Sequence, residues 1–159
     1  GSLNPRRTGR SVLIPVAPEL TALLYKPTQW EVTPDVFEHN RRTIYLIAKR
    51  NLRLPFMEVF DQPDLQISCA RRESSTHSPQ ALELLNGKFT TSHAEDFSER
   101  LRRECGTSSV IIVDRAFELA TGRLPTSEQR AASIQFLEDS PLEEFSLAVL
   151  NLNGFLYVE

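Results

Sequence analysis

The sequence is poor in the features that would place a protein in a class at once. Its 159 residues include two cysteines, Cys69 and Cys105, without a Cys-x-x-Cys or Cys-x-x-Cys-His motif. This pattern excludes covalent haem attachment and the usual zinc sites, and a Cys69–Cys105 disulfide would require an oxidising compartment. The six glycines are scattered singly, so the sequence has no glycine-rich phosphate-binding loop.

Long apolar runs and a strong net charge are also missing. No apolar stretch reaches the roughly 18 residues of a membrane-spanning helix, so we expect no membrane insertion. The formal net charge is -3, and the aromatic residues do not alternate with a basic stripe, so we expect no nucleic-acid partner. No signal peptide is recognisable, and Gly1-Ser2 is typical of a cloning scar, so we expect the chain to be a piece of a longer protein.

What is present is arginine. The chain has 15 Arg and 3 Lys, and residues 1–80 carry a net charge of +3 whereas residues 81–159 carry -6. Arginine suits semi-buried ion pairs because its fork binds carboxylates with two hydrogen bonds, although a solvated arginine face is the alternative. Four arginines are candidates for such burial: Arg41, Arg42, Arg71 and Arg72. We expect at least two of them to be buried and bonded to Asp61, Asp64, Glu73 or backbone carbonyls.

The pattern of apolar residues and helix breakers predicts a mainly α fold. It indicates a small bundle of four to five amphipathic helices with an extended Pro-rich N-terminal segment and one or two short strands. We expect residues 1–10 to be a flexible end and residues 11–159 to form a single helical domain. Within that domain we distinguish an extended arm at 11–34, an Arg-rich polar segment at 35–77 and a helical part at 78–159.

Helix starts and ends are most clearly marked in the helical part. The sequence predicts starts at Ser78-Pro79, Ser92–Glu95, Ser109, Thr126–Gln129 and Ser140–Glu143. It predicts ends at Asn86-Gly87, Gly122 and Asn153-Gly154.

Local structure in the first half is less clearly marked. The sequence favours a helix near Thr33–Asp35, short strands around Leu13 and Leu24, and a strand from Leu65 to Arg71. For residues 43–49 an apolar run leaves helix and strand equally open.

The densest group of reactive side chains lies between Asp61 and Gln80, and it includes Asp61, Asp64, Cys69, Arg71, Arg72 and His77. One hypothesis is a nucleophilic Cys69 with His77 as its base. The other is structural, with Asp61 and Asp64 capping turns and residues 75–78 forming the entry to a helix. The three histidines show no metal-ligand spacing, so we expect no metal and no cofactor.

The apolar C-terminal peptide Phe155–Val158 is an aggregation hazard if it is exposed. We expect it to be buried against the apolar faces of Ile44–Ala48 and of the Leu82–Leu85 helix.

Three stretches in a fixed order resemble a known family. They are Arg41-Arg42-Thr43-Ile44-Tyr45, Phe60–Asp64 followed by Gln80–Asn86, and Gly122–Thr126 followed by Leu150–Val158. Over residues 35–159 the chain resembles the C-terminal portion of the planctomycete surface-type domain, which is a domain of unknown function.

The resemblance implies architecture and compartment rather than chemistry, because that family offers no established catalytic residue. It implies an exported, periplasmic or cell-surface location in a large bacterial protein, next to other domains of that protein that include a cytochrome-c-like one. The sequence thus favours a non-catalytic structural or interaction module. The alternatives are a hydrolase or ligand-binding part, with candidate binding residues Arg41, Arg42, Asp61, Asp64, Arg71, Arg72 and His77, or a docking partner of a haem-carrying domain.

Overall fold

The computed structural model describes residues 1–22, 24–50, 52–64, 66–70 and 78–157. The fold of this part of the chain is mainly helical, which confirms the predicted class. The α-helices are α1 (Pro18–Ala22), α2 (Pro55–Val59), α3 (Ser78–Asn86), α4 (Lys88–Cys105), α5 (Ser109–Thr121), α6 (Ser127–Asp139), α7 (Leu142–Leu150) and α8 (Asn153–Leu156). Short 3-10 helices cover Pro27–Gln29, Val36–Asn40 and Thr43–Tyr45.

The chain forms two compact units. The N-terminal unit is Ser2–Gln80, and the C-terminal unit is Ala81–Glu159 together with Gly1. The division of the sequence into an arm, a polar segment and a helical part stays a prediction.

The core of the C-terminal unit lies between α4, α5 and α7. Its buried side chains are Phe97, Leu101, Ile112, Val113, Ala116, Phe117, Leu142, Phe145 and Val149. The most extensive helix contact is that of α4 with α7. Ser98 of α4 and Ser146 of α7 are fully buried, and such small side chains let well-packed helices approach closely.

Two of the predicted helix signals have the expected geometry. The Gln129 amide donates to the Thr126 hydroxyl and the Thr126 amide donates to the Gln129 side chain, so α6 begins with a capping box. α5 ends at Gly122, whose φ of 71° is the left-handed conformation that favours glycine.

Three other helix signals are wrong. Ser92 lies inside α4, which begins at Lys88, and its hydroxyl donates to the Phe89 carbonyl as interior serines do. Ser140 ends α6 rather than capping α7, because its amide donates to the Phe136 carbonyl. Asn153-Gly154 opens α8 instead of ending a helix.

The end of α7 is marked by another asparagine. The Asn151 side chain donates to the carbonyls of Leu147 and Leu84 at 2.8 and 3.2 Å. The Asn151 side chain therefore satisfies a carbonyl of the last turn of α7, which ends at Leu150, and one carbonyl of α3.

In the N-terminal unit a small apolar cluster of Leu24, Trp30 and Leu52 is surrounded by loops. Where strands were expected around Leu13 and Leu24, the described residues make an isolated bridge from Val12 to Leu46, and Leu24 lies in a bend. The frequent prolines remove the amide donors that a regular ladder needs. A strand was expected from Leu65 to Arg71. Residues 66–70 form no strand, and Leu65 and Arg71 lie outside the described residues.

Residues 35–49 form two 3-10 helices and isolated bridges, so the run 43–49, for which helix and strand were both open, contains an element of each. The helix expected near Asp35 is a 3-10 helix, Val36–Asn40, and the Asp35 carboxylate caps it by accepting the Phe37 amide at 3.0 Å. The apolar run that follows forms a 3-10 turn at Thr43–Tyr45 and then the bridge at Leu46.

Candidate functional site

A cavity of about 670 Å³ in the N-terminal unit brings three of the predicted site residues together. Asp61, Asp64 and Cys69 line it, along with Arg53 and Glu58. We call it the Asp64 cavity. Arg71, Arg72 and His77 lie outside the described residues, and so does the proposed pairing of a Cys69 nucleophile with a His77 base.

The backbone beside the Asp64 cavity reverses at the end of α2. The Asp61 amide donates to the Glu58 carbonyl and the Gln62 amide donates to the Met57 carbonyl. This pair of bonds is the Schellman helix ending, and it places Asp61 at φ 58°, where glycine is usual and aspartate is tolerated. The positive φ of Asp61 is thus explained by the way α2 ends.

Arg53 and Asp64 form the main ion pair of the Asp64 cavity. The Arg53 guanidinium lies 3.0 Å from Asp64 and 3.8 Å from Glu58. The Asp64 carboxylate also accepts the Gln66 amide at 2.9 Å. The hydrogen bond from the Gln66 amide lowers the pKa of Asp64 most, and the Arg53 guanidinium lowers it further. Asp64 is therefore an ionised carboxylate that fastens the turn and holds Arg53.

Sequence reasoning missed Arg53. It is the one charge in the apolar stretch Leu52–Phe56, just before the proline that opens α2. A lone arginine at such a place is the signal that could have indicated a partner, because an unpaired charge in apolar surroundings is costly.

Arg41 lies away from the cavity lining and is buried. Its guanidinium donates to the carbonyls of Thr8, Arg6 and Arg10 at 2.9, 3.3 and 3.4 Å and to Glu38 at 3.1 Å. It also stacks on the Tyr45 ring at 3.9 Å. The side chain of Arg41 is 0% exposed, and the three carbonyls that it binds belong to the first ten residues. That these ten residues form a flexible end stays a prediction.

Arg41 is buried and bonded to backbone carbonyls, as expected, whereas Arg42 is exposed. Arg71 and Arg72 lie outside the described residues, so the expectation that at least two of the four arginines are buried stays a prediction. Arg41 pairs with Glu38, three residues earlier, and not with Asp61 or Asp64, because one 3-10 turn already brings Glu38 within reach. Burial raises the pKa of Glu38, but bonds from Arg6 and Asn4, together with Arg41, outweigh it and hold the pKa below its usual value.

A family model described as PSD1, a protein of unknown function (DUF1553), matches residues 1–137. The chain belongs to this family. The predicted membership of a domain family of unknown function is therefore confirmed, and the match includes the N-terminal residues that surround Arg41. No curated protein and no solved structure matches the chain.

The thiols and histidines of this PSD1 domain show no shared centre in the described part of the chain. Cys69 and Cys105 are not in a disulfide, and burial raises the pKa of Cys105. His39 and His93 each lie within hydrogen-bond distance of a backbone carbonyl. Among the described residues no three His, Cys, Asp or Glu side chains are grouped to hold a metal ion. No helix in those residues is long and apolar enough to cross a membrane.

The C-terminal peptide of the PSD1 domain is less buried than expected. Phe155 is 42% exposed and Tyr157 is 50% exposed, while Val158 lies outside the described residues. α8 contacts α5 and α7, because the short α7–α8 connection keeps it beside its own neighbours. The face of α3 expected to receive the peptide remains uncovered, with Leu82 and Leu85 exposed.

Proposed function

We propose that this PSD1 domain is a non-catalytic structural and interaction module of a longer exported bacterial protein. Its partners are other domains of that protein, and the family resemblance makes a cytochrome-c-like domain one of them. The location is periplasmic or at the cell surface.

The observation that carries this proposal is that charged residues of the N-terminal unit, among them the predicted site residues Arg41 and Asp64, are bound to the protein's own groups. Arg41 is enclosed by three carbonyls and Glu38. Arg53 is held by Asp64, and Asp64 by the Gln66 amide. A general base or nucleophile must reach a substrate, whereas these groups are bonded to the backbone that they hold in place.

The uncovered face of α3 supplies a surface for a partner. Leu82 and Leu85 are one turn apart, 62% and 52% exposed, and therefore lie on the same side of the helix. Exposed neighbouring apolar side chains are typical of surfaces that another protein covers. We assign this face to the contact with a neighbouring domain of the parent protein.

The test compares one pair of serine substitutions in two contexts. Leu82→Ser with Leu85→Ser should change the melting temperature of the isolated chain little, since exposed substitutions usually alter stability by only about 0.5 kcal/mol. In the full-length parent the same pair should lower the melting temperature of the parent, because the docked neighbour loses its contact.

Val110→Ser with Ile111→Ser is the matched control. These residues of α5 are 48% and 55% exposed, and we expect the pair to have little effect in either context. Equal effects of the α3 pair in the isolated chain and in the parent would contradict the docking assignment. A substrate turned over by the parent, with activity lost in Arg53→Gln and kept in the α3 pair, would instead favour the hydrolase or ligand-binding alternative.

A further inference from the structure

A second cavity of about 690 Å³ lies in the C-terminal unit, where the end of α5 meets α8. Its lining includes Thr121, Arg123, Asn153, Gly154, Phe155 and Tyr157. We call it the Arg123 cleft. It contains none of the residues discussed for the Asp64 cavity, so any role it has is independent of that site.

Local structure fixes the position of Arg123 at one side of the cleft. The left-handed Gly122 turns the chain directly after α5, and the Thr121 hydroxyl lies 2.8 Å from the Phe117 carbonyl and 3.3 Å from the Arg123 carbonyl. A Cβ at Gly154 would lie 4.0 Å from the Arg123 Nη2 atom. The guanidinium therefore lies next to a residue without a side chain, at a position where a Cβ would be in ordinary van der Waals contact with Thr121 and Arg123.

Arg123 differs in its pairing from most arginines of this unit. Arg100, Arg102, Arg115 and Arg130 each form an ion pair with a carboxylate at 2.7 or 2.8 Å. The Arg123 guanidinium makes no ion pair with a carboxylate of the described residues, and no Asp or Glu of that part of the chain lines the cleft. The cleft is thus a local positive site in a half of the chain whose net charge is -6.

The lining of the cleft also includes aromatic residues. Phe155 and Tyr157 line it and are each about half exposed, and Asn153 adds an amide group. A guanidinium binds a carboxylate through two parallel hydrogen bonds, and ring surface favours an apolar group attached to that carboxylate. The lining offers one cation, which matches a singly charged carboxylate better than a doubly charged phosphate.

We propose that the Arg123 cleft binds the carboxylate of an apolar or aromatic acid, which is either a free small acid or the C-terminus of a peptide. Arg123 holds the carboxylate, and Phe155 and Tyr157 contact the apolar group. Gly154 leaves room for the carboxylate, because a long side chain at this position would lie beside the guanidinium.

The experiment is a calorimetric titration of the 159-residue chain at neutral pH. The probes are N-acetylphenylalanine, its uncharged amide, phenyl phosphate, and a pentapeptide ending in phenylalanine with a free or an amidated C-terminus. We expect saturable binding of the carboxylates, with affinity lower by about tenfold or more for the amides and for Arg123→Gln. Gly154→Glu should have the same effect, because it places an internal carboxylate beside Arg123.

Arg103→Gln is the control, since Arg103 is an exposed arginine of the same unit outside the cleft, and it should bind as the wild type does. Tighter binding of the pentapeptide than of N-acetylphenylalanine identifies a chain terminus as the ligand, and equal binding identifies a small acid. Absence of saturable binding by either carboxylate at about 10 mM would overturn the proposal. Equal affinity for acid and amide, tighter binding of phenyl phosphate, or unchanged affinity in Arg123→Gln would also overturn it.

Discussion

Replacing Arg41 by alanine should destabilise the N-terminal unit far more than replacing its neighbour Arg42. The two residues are adjacent and chemically identical, but the side chain of Arg41 is fully buried and Arg42 is exposed. The pair of variants therefore compares the stability that a buried, hydrogen-bonded arginine contributes with the stability that an exposed arginine contributes.

The magnitude follows from the bonds that Arg41 makes. Removing one partner of a buried ion pair typically costs about 3–5 kcal/mol of unfolding free energy. We expect the lower end, about 3 kcal/mol, because Glu38 keeps its bonds to Arg6 and Asn4 and water can reach the exposed residues whose carbonyls are released. The Nε–H of Arg41 also has no partner among the described residues, which reduces what the wild-type residue contributes. Arg42→Ala should change stability by about 0.5 kcal/mol or less.

Urea unfolding followed by tryptophan fluorescence measures the difference. Trp30 is the one tryptophan of the chain, it is buried in the N-terminal unit, and its indole donates to the Ile14 carbonyl at 2.9 Å. Its emission therefore reports on the unit that contains Arg41. Arg41→Lys should fall between the wild type and Arg41→Ala, since an ammonium keeps the charge but lacks the fork that reaches several carbonyls. Equal and small effects of Arg41→Ala and Arg42→Ala would refute the reasoning.

Three further predictions concern single residues. The Glu104 carboxylate is held by two arginines that lower its pKa from 4.5 to about 2, so its stabilising effect is present above pH 4.5 and is lost as the pH falls toward 2. Glu104→Gln should flatten that part of the stability–pH curve measured by thermal unfolding, and an unchanged curve would contradict this. Thr126→Ala should cost about 1 kcal/mol in urea unfolding followed by circular dichroism, since it removes the capping box of α6, and no loss would show that the box is dispensable. Cys69 should react with a thiol reagent faster than Cys105, whose pKa is raised by burial, and single serine variants assign the two rates.

Helices of the C-terminal unit could be predicted from the sequence where a short local signal decides the backbone. The Thr126–Gln129 capping box and Gly122 act within one helical turn, and both have the expected geometry. The Ser92–Glu95 signal failed because α4 already begins at Lys88, and a helix in progress overrides an internal capping sequence. Ser92–Glu95 and Thr126–Gln129 carry the same kind of capping sequence, and they differ in whether the preceding turn is already helical.

The contacts of the N-terminal unit could not be predicted because they join residues far apart in the sequence. Arg41 donates to the Thr8 carbonyl 33 residues away, and no periodicity or spacing marks a backbone carbonyl as a partner. The expected role of arginine was correct in kind, since Arg41 is buried and paired. Backbone carbonyls were among its expected partners, whereas the carboxylate that it binds is Glu38, supplied by a local 3-10 turn, and Asp64 is bound by Arg53.

The candidate site was predictable in part. The proximity of Asp61, Asp64 and Cys69 in one cavity follows from their closeness along the chain, whereas the ending of α2 that gives Asp61 its positive φ depends on where that helix stops. Asp61 shows that a polar cluster in a sequence is compatible with either a catalytic or a structural role. In the sequence, an aspartate in such a cluster resembles a catalytic carboxylate, but the backbone of Asp61 ends a helix.

The most direct test of the interaction role is hydrogen exchange, followed by mass spectrometry, in the isolated chain and in the full-length parent. If a neighbouring domain covers α3, peptides spanning residues 82–86 should exchange about tenfold more slowly in the parent, while peptides from α6 should exchange at the same rate in both. Identical exchange of the α3 peptides in the isolated chain and in the parent would contradict the proposal that this face is an interface.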